Sequence, residues 1–298
     1  MRGFLCTLCV VFLLAFGAVA NAGGPNPYAP APNAHGAKPT LPPGLSYFCD
    51  WSNYWEPCFA EDQSVSPERL RTIGAQSTVS GYALRAQVNP GDNPVPNPDG
   101  TIHERSELSI MLDSSGNPID EDQGSGTQYY AISVKLPTSW TPPTGTPAGG
   151  EWGIFMQLHS PDSYNSSPPF AFDATNGFSI ALYGGDVTTL QGGPKNYPLS
   201  NSALNLGVWV DFILAIKWSA YSDGAIQVWR QDGNSGAGFS SVLNLTGIAT
   251  LQSSAGQVGP HYWKTGFYRS SSAFNSNLVI GPIARGTSFG AVADSAFP

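Results

Sequence analysis

The sequence predicts an all-β protein of two packed antiparallel sheets with Greek-key connections. Three observations carry that expectation. Charged residues are only 11% of the 298 positions, while aromatics reach 12%. Glycine and proline, at 34 and 26 copies, supply many turns, and short alternating apolar runs recur between them.

Taken in order, the chain opens on a secretory signal at 1–22. Arg2 provides the charged start, Val10 to Ala20 the apolar run, and Ala20-Asn21-Ala22 a small-residue cleavage site, so the mature chain is expected to begin at Gly23. The run is too short for a membrane anchor and no later stretch could span a bilayer, which points to a secreted, extracellular protein with no membrane partner. Residues 23–44 hold seven prolines, Pro25, Pro27, Pro30, Pro32, Pro39, Pro42 and Pro43, without apolar periodicity. That composition predicts a flexible leader ahead of a single folded domain at 45–298. Cys6 and Cys9 leave with the signal, and the oxidising destination predicts that Cys49 and Cys58 form a disulfide. Asn165-Ser166-Ser167 and Asn244-Leu245-Thr246 are glycosylation sequons that fit secretion.

Strand signals follow at Tyr82 to Val88, at Tyr130, Ile132, Val134 and Leu136, and at Phe178 to Tyr183 before Gly184-Gly185. Val208, Val210, Phe212, Leu214, Ile216 and Trp218 form the longest alternating series. Ser222-Asp223-Gly224 turns it into a second strand, Ile226 to Arg230, and Leu278 to Ile283 supplies a late one. The single helical signal is short, at Ser66 to Ile73, where Ser66-Pro67-Glu68 resembles a capped start. The formal charge of −8 argues against a nucleic-acid partner, so any anionic ligand must be held by a few local groups.

Three segments concentrate reactive side chains on one strand face. His103, Arg105 and Glu107 share a face opposite Glu104, Ser106, Leu108 and Ile110. An arginine and a glutamate two apart can orient each other, leaving the guanidinium directed at a carboxylate or oxyanion. Trp152, Ile154, Met156 and Leu158 are expected on a core face, which leaves Gln157 and His159 together on the other. An amide can donate to a carboxylate and an imidazole can accept a proton near neutrality. In the third segment Trp263 and Phe267 should face the core, with Lys264, Gly266 and Tyr268 opposite and Arg269 turned away from them. Gly266 is read as opening room for a sugar ring.

These segments carry a family resemblance. Arg-Ser-Glu-Leu from Arg105, Gln-Leu-His from Gln157 and Tyr-Trp-Lys-Thr-Gly-Phe-Tyr-Arg from Tyr262, in this order, resemble the signature segments of β-jelly-roll polysaccharide lyases, the group of alginate, glucuronan and heparin I lyases. Gly207-Val208-Trp209, Lys217-Trp218, Asp223-Gly224, Val228-Trp229 and Asn277-Leu278-Val279-Ile280-Gly281 are similar to the heparin-lyase-I-like and glucuronan-lyase branch. The resemblance implies a concanavalin-like jelly-roll sandwich and β-elimination at a uronic acid. Arg105 and Gln157 would then neutralise the uronate carboxylate, and Tyr268 would protonate O4 and, where the C5 proton lies on the same side of the ring, also remove it. His159 and His103 are rival bases, Lys264 would tune Tyr268 or bind substrate, and Glu107 joins the binding set.

The expected partner is an anionic polysaccharide, with glucuronan favoured, densely sulfated heparin disfavoured by the scarcity of basic residues, and alginate still possible; the expected state is a monomer. The chemistry calls for no cofactor. A structural Ca2+ is a family expectation whose weakest-sense candidates are Asp120, Glu121 and Asp122. Two other classes share this profile: a noncatalytic lectin-like carbohydrate binder, and a glycoside hydrolase, which would need two carboxyl groups across the bond where Glu107 is the single acid on the expected groove face.

Overall fold

The computed structural model describes residues 41–52, 58–95, 103–145, 150–233 and 238–297. The expected signal, and the leader up to residue 40, lie outside the described residues. In chain order the strands are β1 (Leu45–Cys49), β2 (Phe59–Gln63), β3 (Leu70–Gly74), β4 (Tyr82–Val88), β5 (His103–Met111), β6 (Asp120–Glu121), β7 (Thr127–Lys135), β8 (Gly153–His159) and β9 (Phe170–Asp173). They continue as β10 (Ser179–Leu182), β11 (Gly185–Asp186), β12 (Lys195–Pro198), β13 (Trp209–Lys217), β14 (Gly224–Asp232), β15 (Ser240–Ile248), β16 (Gln252–Ser253), β17 (His261–Ser270) and β18 (Ser276–Gly286), ahead of one helix, α1 (Phe289–Ala296).

Two eight-stranded antiparallel sheets form the jelly-roll sandwich that the sequence predicted. The outer sheet runs β15-β14-β13-β7-β18-β4-β3, with β1 on the far half of β18; the groove sheet runs β12-β10-β9-β8-β17-β5-β2, with β6 beside the start of β17. Inward residues of both sheets, among them Trp218, Trp263, Phe155, Phe170, Phe172, Phe212 and Phe267, fill the space between them. The Cys49–Cys58 disulfide joins the end of β1 in the outer sheet to the start of β2 in the groove sheet. Asn165 and Asn244 are both exposed. Among the described residues no helix is long and apolar enough to cross a membrane.

Two local features depart from expectation. At Ser66 to Ile73 the helical signal is satisfied by one 3-10 turn, Pro67–Arg69, whose Ser66 hydroxyl accepts from the Glu68 amide; pairing with β4 then draws Leu70–Gly74 into a strand. Conversely, α1 was not foreseen. Its Ser288 cap and eight residues offer too short a period to detect, yet Val292 and Ala296 cover Ala131, Ile213 and Ala284 on the outside of the outer sheet. This explains why Ile213 is buried on the outer face of β13.

The groove sheet contains a bulge that controls the site. Ile154 pairs with Asp173 and Met156 with Phe172, so Phe155 is one residue in excess on β8. Both Phe155 and Met156 are 1% exposed, and the alternation reverses before them. Ile154 and Trp152, expected on the core face, therefore lie on the groove side; Trp152 packs against Tyr268 there. A matching irregularity on β17 falls between Thr265 and Tyr268, at Gly266 with φ of 141°. A Cβ on Gly266 would stand 2.3 Å from the Ser106 carbonyl oxygen and 2.7 Å from Glu107 Cα. The glycine thus serves close approach of β17 to β5, which corrects the reading that it makes room for sugar.

On the core side of the same pairing, Arg269 and Glu104 are direct cross-strand partners, bonded at 2.7 Å and both buried. Glu104 also accepts from the Gly91 and Ser272 amides. A buried carboxylate stripped of its arginine is costly, so Arg269→Met should destabilise the fold by about 3 kcal/mol in urea unfolding. Adding Glu104→Gln should restore much of that loss; an Arg269→Met protein as stable as the parent would show that the pair does not hold the register.

Candidate active site

Three adjacent strands of the groove sheet carry the site. β17 lies between β5 and β8, with Tyr268 opposite Arg105, Gly266 opposite Glu107, Lys264 between Ser109 and Gln157, and Tyr262 opposite His159. The register alone therefore collects His103, Arg105, Glu107, Gln157, His159, Lys264 and Tyr268 onto one face of the groove sheet. Small Ala171 and Ala181 continue the row beyond Gln157, leaving the floor low on that side.

At one end, His103 Nδ1 lies 2.7 Å from the Tyr268 hydroxyl. With Nδ1 unprotonated the imidazole accepts the phenolic hydrogen; with Nδ1 protonated it donates to a phenolate. The Arg105 guanidinium carbon sits 4.1 Å from the centre of the Tyr268 ring, a cation–π contact. Trp152 closes the group from the bulged end of β8, with its ring centre 4.5 Å from that of Tyr268 and 5.1 Å from that of His103.

Glu107 organises the centre. It accepts from Gln157 Nε2 at 2.5 Å and faces Arg105 Nη1 at 3.7 Å. Beside it, Lys264 Nζ donates to Gln63 Oε1 at 2.8 Å. Burial, offset only in part by Glu107, pulls the Lys264 ammonium down to about 8. Four buried polar atoms here, Arg105 Nε, Glu107 Oε2, Ser109 Oγ and Gln157 Oε1, make no hydrogen bond among the described residues. Buried polar atoms ordinarily find partners, so this cluster has donors and acceptors to offer a polar ligand.

His159 stands further along, over the ring of Tyr262 at 5.2 Å between centres. Its Nδ1 lies 2.7 Å from the Ser160 carbonyl oxygen, which fixes the proton there and leaves Nε2 as an acceptor. Burial, together with the positive charges of Lys264 and Arg105, lowers its pKa to about 4. The structure thus brings His103, Arg105 and Tyr268 into direct contact, joins Glu107, Gln157 and Lys264 to them, and sets His159 at the opposite flank.

Three contributors escaped the sequence reading. Ser109 shares the parity of His103, Arg105 and Glu107 and could have been found by extending that series. Trp152 was hidden by the bulge, and Gln63 by its position on a distant edge strand. Of the acidic run Asp120, Glu121 and Asp122, two members are engaged within the fold. Both oxygens of Glu121 are held by Arg285, with Tyr130 and Trp263 also donating, and Asp122 caps the Gly124 turn. Among the described residues no group of three His, Cys, Asp or Glu could hold a metal.

Comparison with known proteins agrees with this arrangement. Residues 48–285 match the family model described as polysaccharide lyase. The chain belongs to the polysaccharide lyase family. It is accordingly a carbon–oxygen lyase that cleaves uronic-acid polysaccharides by β-elimination, which sets aside the lectin and hydrolase alternatives. Among solved structures, an endo-β-1,4-glucuronan lyase from the fungus Trichoderma reesei aligns over 83% of this chain and 98% of its own, with 16% identity and a TM-score of 0.58. At that identity the likeness is one of fold. A marine alginate lyase from Zobellia galactanivorans aligns over 70% of this chain and 79% of its own, with 18% identity and a TM-score of 0.45. No curated protein sequence matches the chain.

Histidines whose charged form is disfavoured by desolvation should make the lyase acid-sensitive. His159 and His261 both titrate near 4 in the fold against an ordinary 6.5, so the unfolded chain binds the extra protons and stability falls as pH drops through that interval. Asp211, raised by burial to about 6, acts in the opposite sense, and comparison of variants isolates each group. His159→Gln should flatten the fall of the urea midpoint between pH 6.5 and 4 by about one proton's worth of slope. An unchanged slope would show that His159 is not buried neutral.

Proposed function

We propose that the protein is a secreted lyase acting on a glucuronan-type polymer, with Tyr268 moving the proton and His103 governing its ionisation. The contact of 2.7 Å between His103 Nδ1 and the Tyr268 hydroxyl, under the Arg105 guanidinium, carries this reading. Support for secretion comes from the amino-terminal pattern of Arg2, the apolar run and Ala20-Asn21-Ala22.

The chemistry sets the requirements. A C5 proton is too weakly acidic to remove until the adjacent carboxylate is neutralised, so donors must meet that carboxylate. Arg105 Nε and the second hydrogen of the Gln157 amide fill that role, while Glu107 holds both side chains in place. His103 accepts the phenolic proton, the phenolate takes hydrogen from C5, and the electron pair left there expels O4, which recovers that hydrogen from Tyr268. The sugar is left with a double bond between C4 and C5.

Stereochemistry then selects the sugar. In a D-gluco or D-manno uronate the C5 hydrogen and O4 lie on the same face of the ring, so one residue can serve both. An L-guluronate places them on opposite faces and needs a separate base across the ring. His159 would be that base, but an imidazole whose pKa has fallen to about 4 has little drive to accept a carbon-bound proton. We assign it instead to a sugar hydroxyl through Nε2. Between the two same-face sugars, the resemblance of the signature segments to the glucuronan-lyase branch favours glucuronate, and 13 basic against 21 acidic residues suit an unsulfated chain.

Absorbance in the unsaturated-uronate band should rise fastest on glucuronan, more slowly on polymannuronate, and least on polyguluronate and heparin. Polyguluronate or heparin as the best substrate would overturn the assignment. Tyr268→Phe should lower kcat by about a thousandfold with the fold intact, and His103→Gln by about a hundredfold. His159→Ala should chiefly raise KM; if it abolishes turnover while His103→Gln does not, the two histidines have been assigned the wrong way round.

A further inference from the structure

Trp152 has the alternation of a core residue and the position of a site residue. By period it belongs with Ile154, Met156 and Leu158, but the extra residue at Phe155 turns it to the groove, where it is only half-buried. Its backbone is tied down there. The Trp152 carbonyl accepts from the Ser270 amide at 3.1 Å, and its own amide donates to Ser270 Oγ at 3.3 Å. The indole consequently sits at a fixed place two residues beyond Tyr268.

From that place it touches both members of the proton-handling pair. The three rings form a closed triangle: Trp152 to Tyr268 at 4.5 Å and 62°, Trp152 to His103 at 5.1 Å and 89°, and His103 to Tyr268 at 5.7 Å and 66°. Edge-to-face contacts of this kind favour one mutual orientation over others. A phenol on β17 and an imidazole at the start of β5 can each rotate about two side-chain bonds, so their hydrogen bond alone does not fix where the phenolic oxygen points. The indole braces both rings from a third strand, and Arg105 covers another side of Tyr268.

We infer that Trp152 is a positioning residue, which acts through His103 and Tyr268 by holding their rings in the geometry of proton exchange. The inference rests on the proposed roles of that pair. It differs from the role usually given to a groove tryptophan, which is to stack on a sugar and strengthen binding. A brace affects the rate of the chemical step, whereas a platform affects substrate affinity.

The test compares Trp152→Leu, which removes the aromatic ring at similar bulk, with Trp152→Phe, which keeps an aromatic edge. Both are assayed on the polymer that the native chain cleaves fastest, with thermal unfolding as a check on folding. Expected is a fall in kcat of about ten- to a hundredfold for Trp152→Leu with KM within about threefold of native, and recovery of most of that loss in Trp152→Phe. A rise in KM with kcat unchanged overturns the inference and makes the indole a sugar platform; unchanged kinetics in both variants overturn it as well. Tyr268→Phe assayed in parallel keeps the two readings apart. If that variant retains native turnover, the pair itself has been misassigned; if it is inactive while Trp152→Leu is unaffected, only the brace fails.

Discussion

The buried ion pair between Glu104 and Arg269 underlies everything on the opposite face of the groove sheet. The two residues face each other across β5 and β17 on the core side, and their immediate neighbours, Arg105 and Tyr268, face each other on the groove side. A slip of one residue would strand two charges in the core and turn the site inside out. Gly266 contributes the second constraint, because no other residue lets β17 come so near the backbone of Ser106 and Glu107. The geometry of the candidate site is thus fixed by features on the far side of the sheet from it and by the backbone beneath it.

The site meets an anion without being strongly basic. Arg105 is balanced by Glu107, and Lys264, its pKa lowered by burial to about 8, is bonded to neutral Gln63. The pairing of Arg105 with Glu107 limits the cost of burying these groups, and on the proposed reading the arriving uronate exchanges its water for the amide of Gln157 and the edge of Arg105. On the proposed reading such a groove suits one carboxylate per sugar better than a chain bearing sulfates at several positions.

Much of this was legible in the sequence wherever the strand period stayed regular. The alternation of β13 and its turn into β14, the shared face of His103, Arg105 and Glu107, and that of Gln157 and His159 all follow from a period of two. Legibility failed where one residue was inserted. The bulge at Phe155 moved Trp152 and Ile154 across the sheet, and no composition signal marks that step. Gly266 was recognised as special but assigned the wrong neighbour, since only the register shows that its missing Cβ faces β5. The acidic run at Asp120 was a cation candidate only in the weakest sense, and the contact that commits Glu121 to Arg285 lies 164 residues away in the chain, beyond any local pattern. The carboxy-terminal helix is too short to announce itself by periodicity and exists because the outer sheet offers an apolar face to cover.

The central claim is that one uronate is held by Arg105 and Gln157 with its C5 and O4 turned toward the Tyr268 hydroxyl. A crystal structure of the Tyr268→Phe protein bound to a glucuronate oligosaccharide tests it most directly. The account predicts a carboxylate hydrogen-bonded to both Arg105 and Gln157, with C5 and O4 of the cleaved linkage facing the ring of residue 268 beside His103. A carboxylate seated instead on Lys264 and His159, with C5 turned away from residue 268, would contradict it.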